Sequence, residues 1–295
     1  MSARAGDAEQ RLTQEVLASL GQCKEARLRD IMAALVRHLH AFVREVELTE
    51  AEWQQAIRFL TNTGQICDDK RQEFILLSDV LGVSMLVDAV NNRKGPGATE
   101  STVLGPFYVA DAPRRALGNN ICLDGKGEPL LVAGQVLDEQ GKPIAGAVLD
   151  VWQAHEDGFY DVQQPGVQPA MNLRGRFTAD KDGRFWFRSV KPRHYSIPHD
   201  GPVGKLLATL GRHPNRPAHL HVIVSAPGFA PVTTHIFVDD DPYLASDAVF
   251  GVKNSLIGRF VRRDDPERAA VLGLSNPFYS VDWDFRLERA ASSAA

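Results

Sequence analysis

The sequence predicts a mainly β fold with added α-helix: a β-sandwich preceded by an N-terminal helical segment. Three observations predict it. Apolar residues in the first third recur at three- and four-residue intervals. The texture breaks after Asn91 into a stretch rich in glycine, proline and polar residues. From Leu130 onward, short β-type runs alternate with turn signals. At 295 residues the chain is long enough for one large domain or two small ones, with a sizeable core in either case.

Residues 9–90 contain few glycines or prolines. Ile31, Leu35, Leu39, Phe42 and Val46 fall on one helix face. Thr49, with Glu52 three positions on, is a capping box, and it opens a further helix through Trp53, Ile57, Phe59 and Leu60. Residues 73–90 are strongly apolar, yet Asp79 and Gly82 interrupt them, so they predict one or two buried helices and not a membrane span. An apolar face left uncovered there would instead serve a dimer surface. The linker after Asn91 divides the chain into a helical domain, 1–98, and a β-domain, 99–295. In the latter, strands are predicted at 130–138, 147–154, 184–190, 218–226 and 233–238, with turns at 139–143, 181–183 and 226–228. Helix returns at 249–261 and 265–272, before an aromatic-rich tail at 277–285.

Composition narrows the function. A formal charge of −4 lacks the basic excess that phosphate binding needs, which argues against a nucleic-acid partner. No apolar run reaches the roughly 18 residues of a membrane span, and the N-terminus lacks a secretory apolar run, so the cytoplasm is expected. The three cysteines, Cys23, Cys67 and Cys122, fit neither a disulfide framework nor a metal knuckle, and read as small buried hydrophobes.

Chemistry concentrates at His219 and His221. On a strand, residues two apart share a face, so both imidazoles can reach one metal. The pair alone fits a metal site or two half-buried histidines equally well. No cysteine cluster, HExxH motif or nearby carboxylate supplies a zinc-type third ligand. Tyr160, after a glycine turn, and Tyr195 stand out instead among five tyrosines. Phenol has a pKa of about 10, so it binds as phenolate only to a strongly acidic metal. Two phenolates and two neutral imidazoles suit iron(III).

Five ordered motifs then carry a family likeness: Gly105-Pro106-Phe107-Tyr108, Asp150-Val151-Trp152-Gln153-Ala154, Gly158-Phe159-Tyr160-Asp161, His194-Tyr195-Ser196-Ile197-Pro198 and Arg216-Pro217-Ala218-His219-Leu220-His221. Together they resemble the intradiol ring-cleavage dioxygenases, the catechol and hydroxyquinol 1,2-dioxygenases, from the N-terminal helices to about Phe260. Ile197-Pro198, the segment from Thr234 to Val238 and the segment from Ser246 to Lys253 resemble the hydroxyquinol-type members. Catechol-type members typically carry glutamine where His235 stands.

The resemblance implies a catalytic β-sandwich over 99–295 and a helical dimerisation domain over 1–98, in a homodimer holding phospholipid in an interface tunnel. It implies one Fe(III) per subunit, with Tyr160 and His219 equatorial and Tyr195 and His221 axial. Arg216 would stabilise the anionic substrate, and Tyr195 would take up a substrate proton. His235 would either hydrogen-bond the ligands or simply pack. The pocket would be walled by Leu76, Asp79, Val103, Leu104, Gly105, Pro106, Phe107, Ile197, Pro198 and Val249. Two readings stand for Asp79: recognition of a third substrate hydroxyl, or a helix cap or polar kink. The implied reaction joins O2 to a small aromatic diol or triol, opening hydroxyquinol (benzene-1,2,4-triol) to 3-hydroxy-cis,cis-muconate, the enol of maleylacetate. Catechol or chlorocatechol is the alternative substrate. Readings from other classes are a non-catalytic transthyretin-like binding module, resembled by residues 132–152, and a zinc hydrolase.

Overall fold

The computed structural model of the chain describes residues 3–69 and 71–290, so the extreme ends of both expected domains, 1–2 and 291–295, lie outside the described residues. Two compact units emerge, Met1–Gln65 and Ile66–Ala295. The first consists of α1 (Ala3–Ser19), α2 (Ala26–Glu45) and α3 (Glu50–Gln65). The Thr13 hydroxyl ties α1 to α2 through His40 Nδ1 at 2.9 Å and Arg44 Nη1 at 3.0 Å. Thr49 and Glu52 form the expected capping box: Glu52 N donates to Thr49 Oγ1 at 3.3 Å and Thr49 N donates to Glu52 Oε2 at 2.9 Å. Despite its amphipathic pattern, α2 buries none of its residues.

The second unit begins with α4 (Glu73–Val80) and α5 (Val83–Asn91), separated at Gly82, which adopts φ +74°. These two helices are not buried as expected. Glu73, Val80 and Met85 are buried, while Phe74, Ile75, Leu81, Val83, Leu86, Val87 and Val90 are exposed. α4 carries apolar residues on more than one face, and the rest of the unit covers only part of it.

The strands are β1 (Pro129–Asp138), β2 (Val148–Gln153), β3 (Arg174–Thr178), β4 (Arg184–Val190), β5 (Tyr195–Ser196), β6 (Asn215–Arg216), β7 (His219–Ser225), β8 (Val232–Val238), β9 (Ile257–Gly258), β10 (Val261–Arg263), β11 (Phe278–Asp282) and β12 (Phe285–Leu287). α6 (Pro202–Thr209) separates β5 from β6, and α7 (Pro266–Leu272) precedes β11. One sheet runs β10-β11-β1-β12 with β4 also paired to β1; the other runs β3-β2-β7-β8-β9. Leu130, Val132, Val136, Phe185, Phe187 and Phe285 of the first sheet pack against Leu149, Val151, Leu220, Val222, Val224 and Ile236 of the second. This is the expected sandwich, mainly β with added α.

The helix expected over 249–261 does not form. A short 3-10 turn at Asn254–Leu256 leads into β9 and β10. Asp247 captures the backbone N–H groups of Val249 and Gly251, which a helix would need for its own first turn. The cysteines also depart from expectation. Only Cys122 is buried, while Cys23 and Cys67 are partly exposed. Among the described residues no helix is long and apolar enough to cross a membrane.

Candidate metal centre

Strand alternation gives the second sheet two unlike faces. Leu220 and Val222 of β7 point into the sandwich, so His219 and His221 point away from it. In the sheet register Trp152 opposes His221 and His221 opposes His235, so three adjacent strands place these rings side by side. Trp152 stacks on His221 at 4.6 Å and 9°.

Tyr160 arrives by the turn after β2. His155 N donates to Phe159 O at 2.8 Å, Gly158 N donates to His155 O at 2.9 Å, and Gly158 sits at φ +83°, a conformation only glycine adopts readily. Tyr195 arrives by a different route: in the two-strand pairing of β5 with β6 it lies directly opposite Arg216.

The result is a converging donor set. His219 Nε2 and His221 Nε2 are 3.1 Å apart, and His221 Nε2 is 2.9 Å from Tyr160 Oη. Arg216 Nη1 donates to Tyr195 Oη at 3.4 Å and lies 3.5 Å from His219 Nε2. The Tyr160 and Tyr195 rings meet edge to face at 5.4 Å. All five side chains are buried, none more than 5% exposed.

Burial controls the protonation states. It holds the His219 imidazole down at about 3, with the Arg216 charge adding to the effect. The His221 and His235 rings are also held well below the usual histidine range, chiefly by burial and then by neighbouring imidazoles. Burial, followed by the neighbouring Tyr195, pushes the Tyr160 phenol well up.

These residues fit a metal ion. His219 Nδ1 lies 2.7 Å from Pro217 O and, as donor to that carbonyl, leaves Nε2 as a lone pair. His221 Nδ1 lies 2.8 Å from His235 Nε2, and with the proton on His221 Nδ1 its own Nε2 is a lone pair too. Two lone pairs facing each other across 3.1 Å repel unless a cation sits between them. Two phenolic oxygens complete the set. The three histidines each offer a nitrogen within 4.8 Å of the others, but His235 Nε2 is taken up by the far side of His221. His235 therefore meets the Nδ1 side of His221, away from Tyr160.

Some of the expected pocket residues touch this cluster. Phe107 stacks on Tyr160 at 4.6 Å. Gly105 presses on His221, where an added Cβ would come within 3.1 Å of the ring. Val103 reaches His235 through its backbone. Ile197 and Val249 are buried, and Asp79 lies within the field of Arg216. Leu76 stands one turn before Asp79 on α4, Leu104 and Pro106 are exposed on either side of Gly105, and Pro198 is half-buried beside Ile197.

Sequence reasoning gave no role to four residues. Asp247 forks onto Arg216, at 3.1 Å to Nε and 3.2 Å to Nη2. Arg174 and Asp161 form a buried ion pair at 2.6 Å, one residue beyond Tyr160. Trp152 was read as part of a motif without a role. The signal for Asp247 was a lone acid in the apolar segment Ala245-Ser246-Asp247-Ala248-Val249.

Comparison with known proteins agrees with this geometry. Residues 103–289 match the family model described as dioxygenase, and residues 25–99 match the catechol dioxygenase N terminus. The hydroxyquinol 1,2-dioxygenase of Rhizobium sp. strain MTP-10005 is 61% identical, over 95% of this chain and 96% of that protein. The 6-chlorohydroxyquinol 1,2-dioxygenase of Cupriavidus pinatubonensis is 53% identical, over 94% and 96% respectively. Among solved structures, the hydroxyquinol 1,2-dioxygenase of Pseudomonas putida DLL-E4 superposes with a TM-score of 0.92 at 51% identity, covering 97% of this chain and all of that one. A catalytic role thus replaces the reading as a mere binding module, and the chain belongs to the intradiol ring-cleavage dioxygenase family.

Proposed function

We propose that the chain opens hydroxyquinol between its adjacent hydroxyls with O2, adding both oxygen atoms to give 3-hydroxy-cis,cis-muconate, the enol of maleylacetate. The observation that carries the reading is the meeting of two phenols and two imidazole Nε2 atoms, all buried, beside a buried guanidinium. Tyr160, Tyr195, His219 and His221 would hold one Fe(III) per subunit, since hard phenolate oxygens and neutral imidazoles suit that ion. When bound, Fe(III) supplies Lewis acidity that makes a chelated diol reactive toward O2.

The chain's own groups do the rest. The Tyr195 oxygen would accept a proton from the incoming diol, and Arg216 Nη1, 3.4 Å from that oxygen, would steady the developing negative charge. Arg216 stays cationic because Asp247 and Tyr195 together outweigh the burial that opposes its charge. Phe107 closes over Tyr160 and excludes water from the ligand oxygens. The triol reading rests on the names of the similar proteins and on Asp79, a carboxylate within the field of Arg216 that would accept a bond from the third hydroxyl. Dimerisation through the exposed apolar faces of the first unit, with phospholipid between them, belongs to the same reading.

The test is spectroscopic and kinetic. Loaded protein should show a visible phenolate-to-iron(III) band and consume O2 with hydroxyquinol faster than with catechol or chlorocatechol. Tyr160→Phe should weaken the band and lower turnover by more than about 10²-fold, the upper end for loss of an outer-shell partner alone. An unchanged band in that variant rejects the tyrosinate assignment, and faster turnover of catechol rejects the triol.

A further inference from the structure

Arg216 has two hydrogen-bonding edges, and only one faces the metal centre. Its Nε and Nη2 edge is held by Asp247, at 3.1 Å to Oδ1 and 3.2 Å to Oδ2. The same two oxygens accept backbone bonds from Val249 N at 3.2 Å and Gly251 N at 2.9 Å. Four donors thus saturate one carboxylate, and two of them belong to the turn that carries Val249. A guanidinium on a flexible stem can swing, whereas a fork-to-fork pair fixes both its plane and its rotation. Little room is left for a shift: a Cβ on Gly251 would lie 2.7 Å from Arg216 Nη2 and 3.1 Å from Asp247 Oδ2. Thr102 Oγ1 donates to Gly251 O at 3.3 Å and pins the far side of the turn.

We propose that Asp247 is a positioning residue that locks Arg216 and the 247–251 turn into one unit, aiming the Nη1 edge at the reacting diol while seating Val249 in the pocket wall. This rests on the ring-opening reading above. It assigns the aim of Arg216 to a side chain that need not touch substrate. Neutralising a buried charge would require only one carboxylate nearby; the geometry instead spends both oxygens on orienting two elements.

The experiment compares Asp247→Glu, Asp247→Asn, Gly251→Ala, Arg216→Ala and the double variant Arg216→Ala/Asp247→Ala, each loaded with iron and normalised to bound metal. Asp247→Glu and Gly251→Ala keep the charge and move the guanidinium. Both should lower kcat for hydroxyquinol by about 10²-fold, the effect of a misplacement of roughly 1 Å, with KM changed less than about threefold. The visible band of the substrate-free protein should shift in both, because Nη1 no longer approaches the Tyr195 oxygen. The double variant should turn over no more slowly than Arg216→Ala alone, since a positioning residue has nothing left to position. Should Asp247→Asn fail to fold, this comparison still decides the matter, because the double variant removes both buried charges together. The proposal is overturned if Asp247→Glu keeps kcat within about threefold with an unmoved band. A further tenfold loss in the double variant beyond Arg216→Ala overturns it as well. Wild-type protein that turns over no diol would instead sink the ring-opening reading, which the wild-type control tests separately.

Discussion

Asp79 shows how the surroundings of a single carboxyl set its charge. Burial pushes it up from the usual carboxylate range, a Ser84 hydrogen bond and the Arg216 charge pull it back, and Asp247 pushes it up again. A group balanced in this way gains most from a ligand hydroxyl that bonds to it. Asp79→Ala should lower kcat/KM for hydroxyquinol about ten- to hundredfold relative to catechol, the usual worth of a hydrogen bond to a charged group. Equal losses on both substrates would remove Asp79 from recognition and leave it as a helix kink. His219 makes a separate prediction in the metal-free protein. Its folded value of about 3 lies below the unfolded value of about 6.5. Above about pH 6.5 both states leave it neutral, so stability does not depend on it. As the pH falls toward 3 the unfolded chain binds a proton that the folded chain refuses, and stability declines by an amount on the order of several kcal/mol. Urea midpoints of the metal-free protein should therefore fall between about pH 7 and about pH 5, and a flat profile would contradict a buried neutral imidazole.

At the scale of elements, much of the architecture was legible. The five predicted strands became β1, β2, β4, β7 and β8 because alternation and turn signals are local properties. The capping box formed for the same reason, and the spacing of His219 and His221 translated directly into one sheet face. What stayed illegible depends on partners distant in sequence. The meeting of Tyr195 with Arg216 arises from two strands of two residues each, separated by α6. The spacing of Val249, Val252 and Leu256 reads as helix until the Asp247 side chain takes the turn's N–H groups. The aromatic tail forms β11 and β12, which run parallel to β1 and so lacked any hairpin signal. Gly134 marks where that tail crosses: a Cβ there would lie 1.7 Å from Trp283 O, beside the bond from Trp283 N to Ala133 O at 2.8 Å. Gly134→Ala should destabilise the second unit by about 3 kcal/mol or more, at or beyond the usual cost of overpacking, because backbone must move. A thermal midpoint equal to wild type would contradict this close approach.

For the whole molecule, the exposed apolar surface is the largest fact left unsatisfied in a single chain. α2 exposes Leu28, Ile31, Leu35, Leu39, Phe42 and Val43 and buries nothing, and α3 exposes Trp53, Ile57 and Leu60. Large exposed apolar surface of this kind marks an interaction site. Sedimentation velocity should report a dimer for wild-type protein and a monomer for Leu35→Glu/Leu39→Glu; a monomeric wild type would refute the interface.

The central strand of the first sheet has one further consequence. β1 pairs with β4, β11 and β12, and the last two come from residues 278–287. During synthesis on the ribosome, β1 emerges long before these neighbours and must wait with one edge unpaired. The sandwich therefore closes only as the final strands leave the exit tunnel, and nascent chains stalled before that point present an open edge for chaperones to shield.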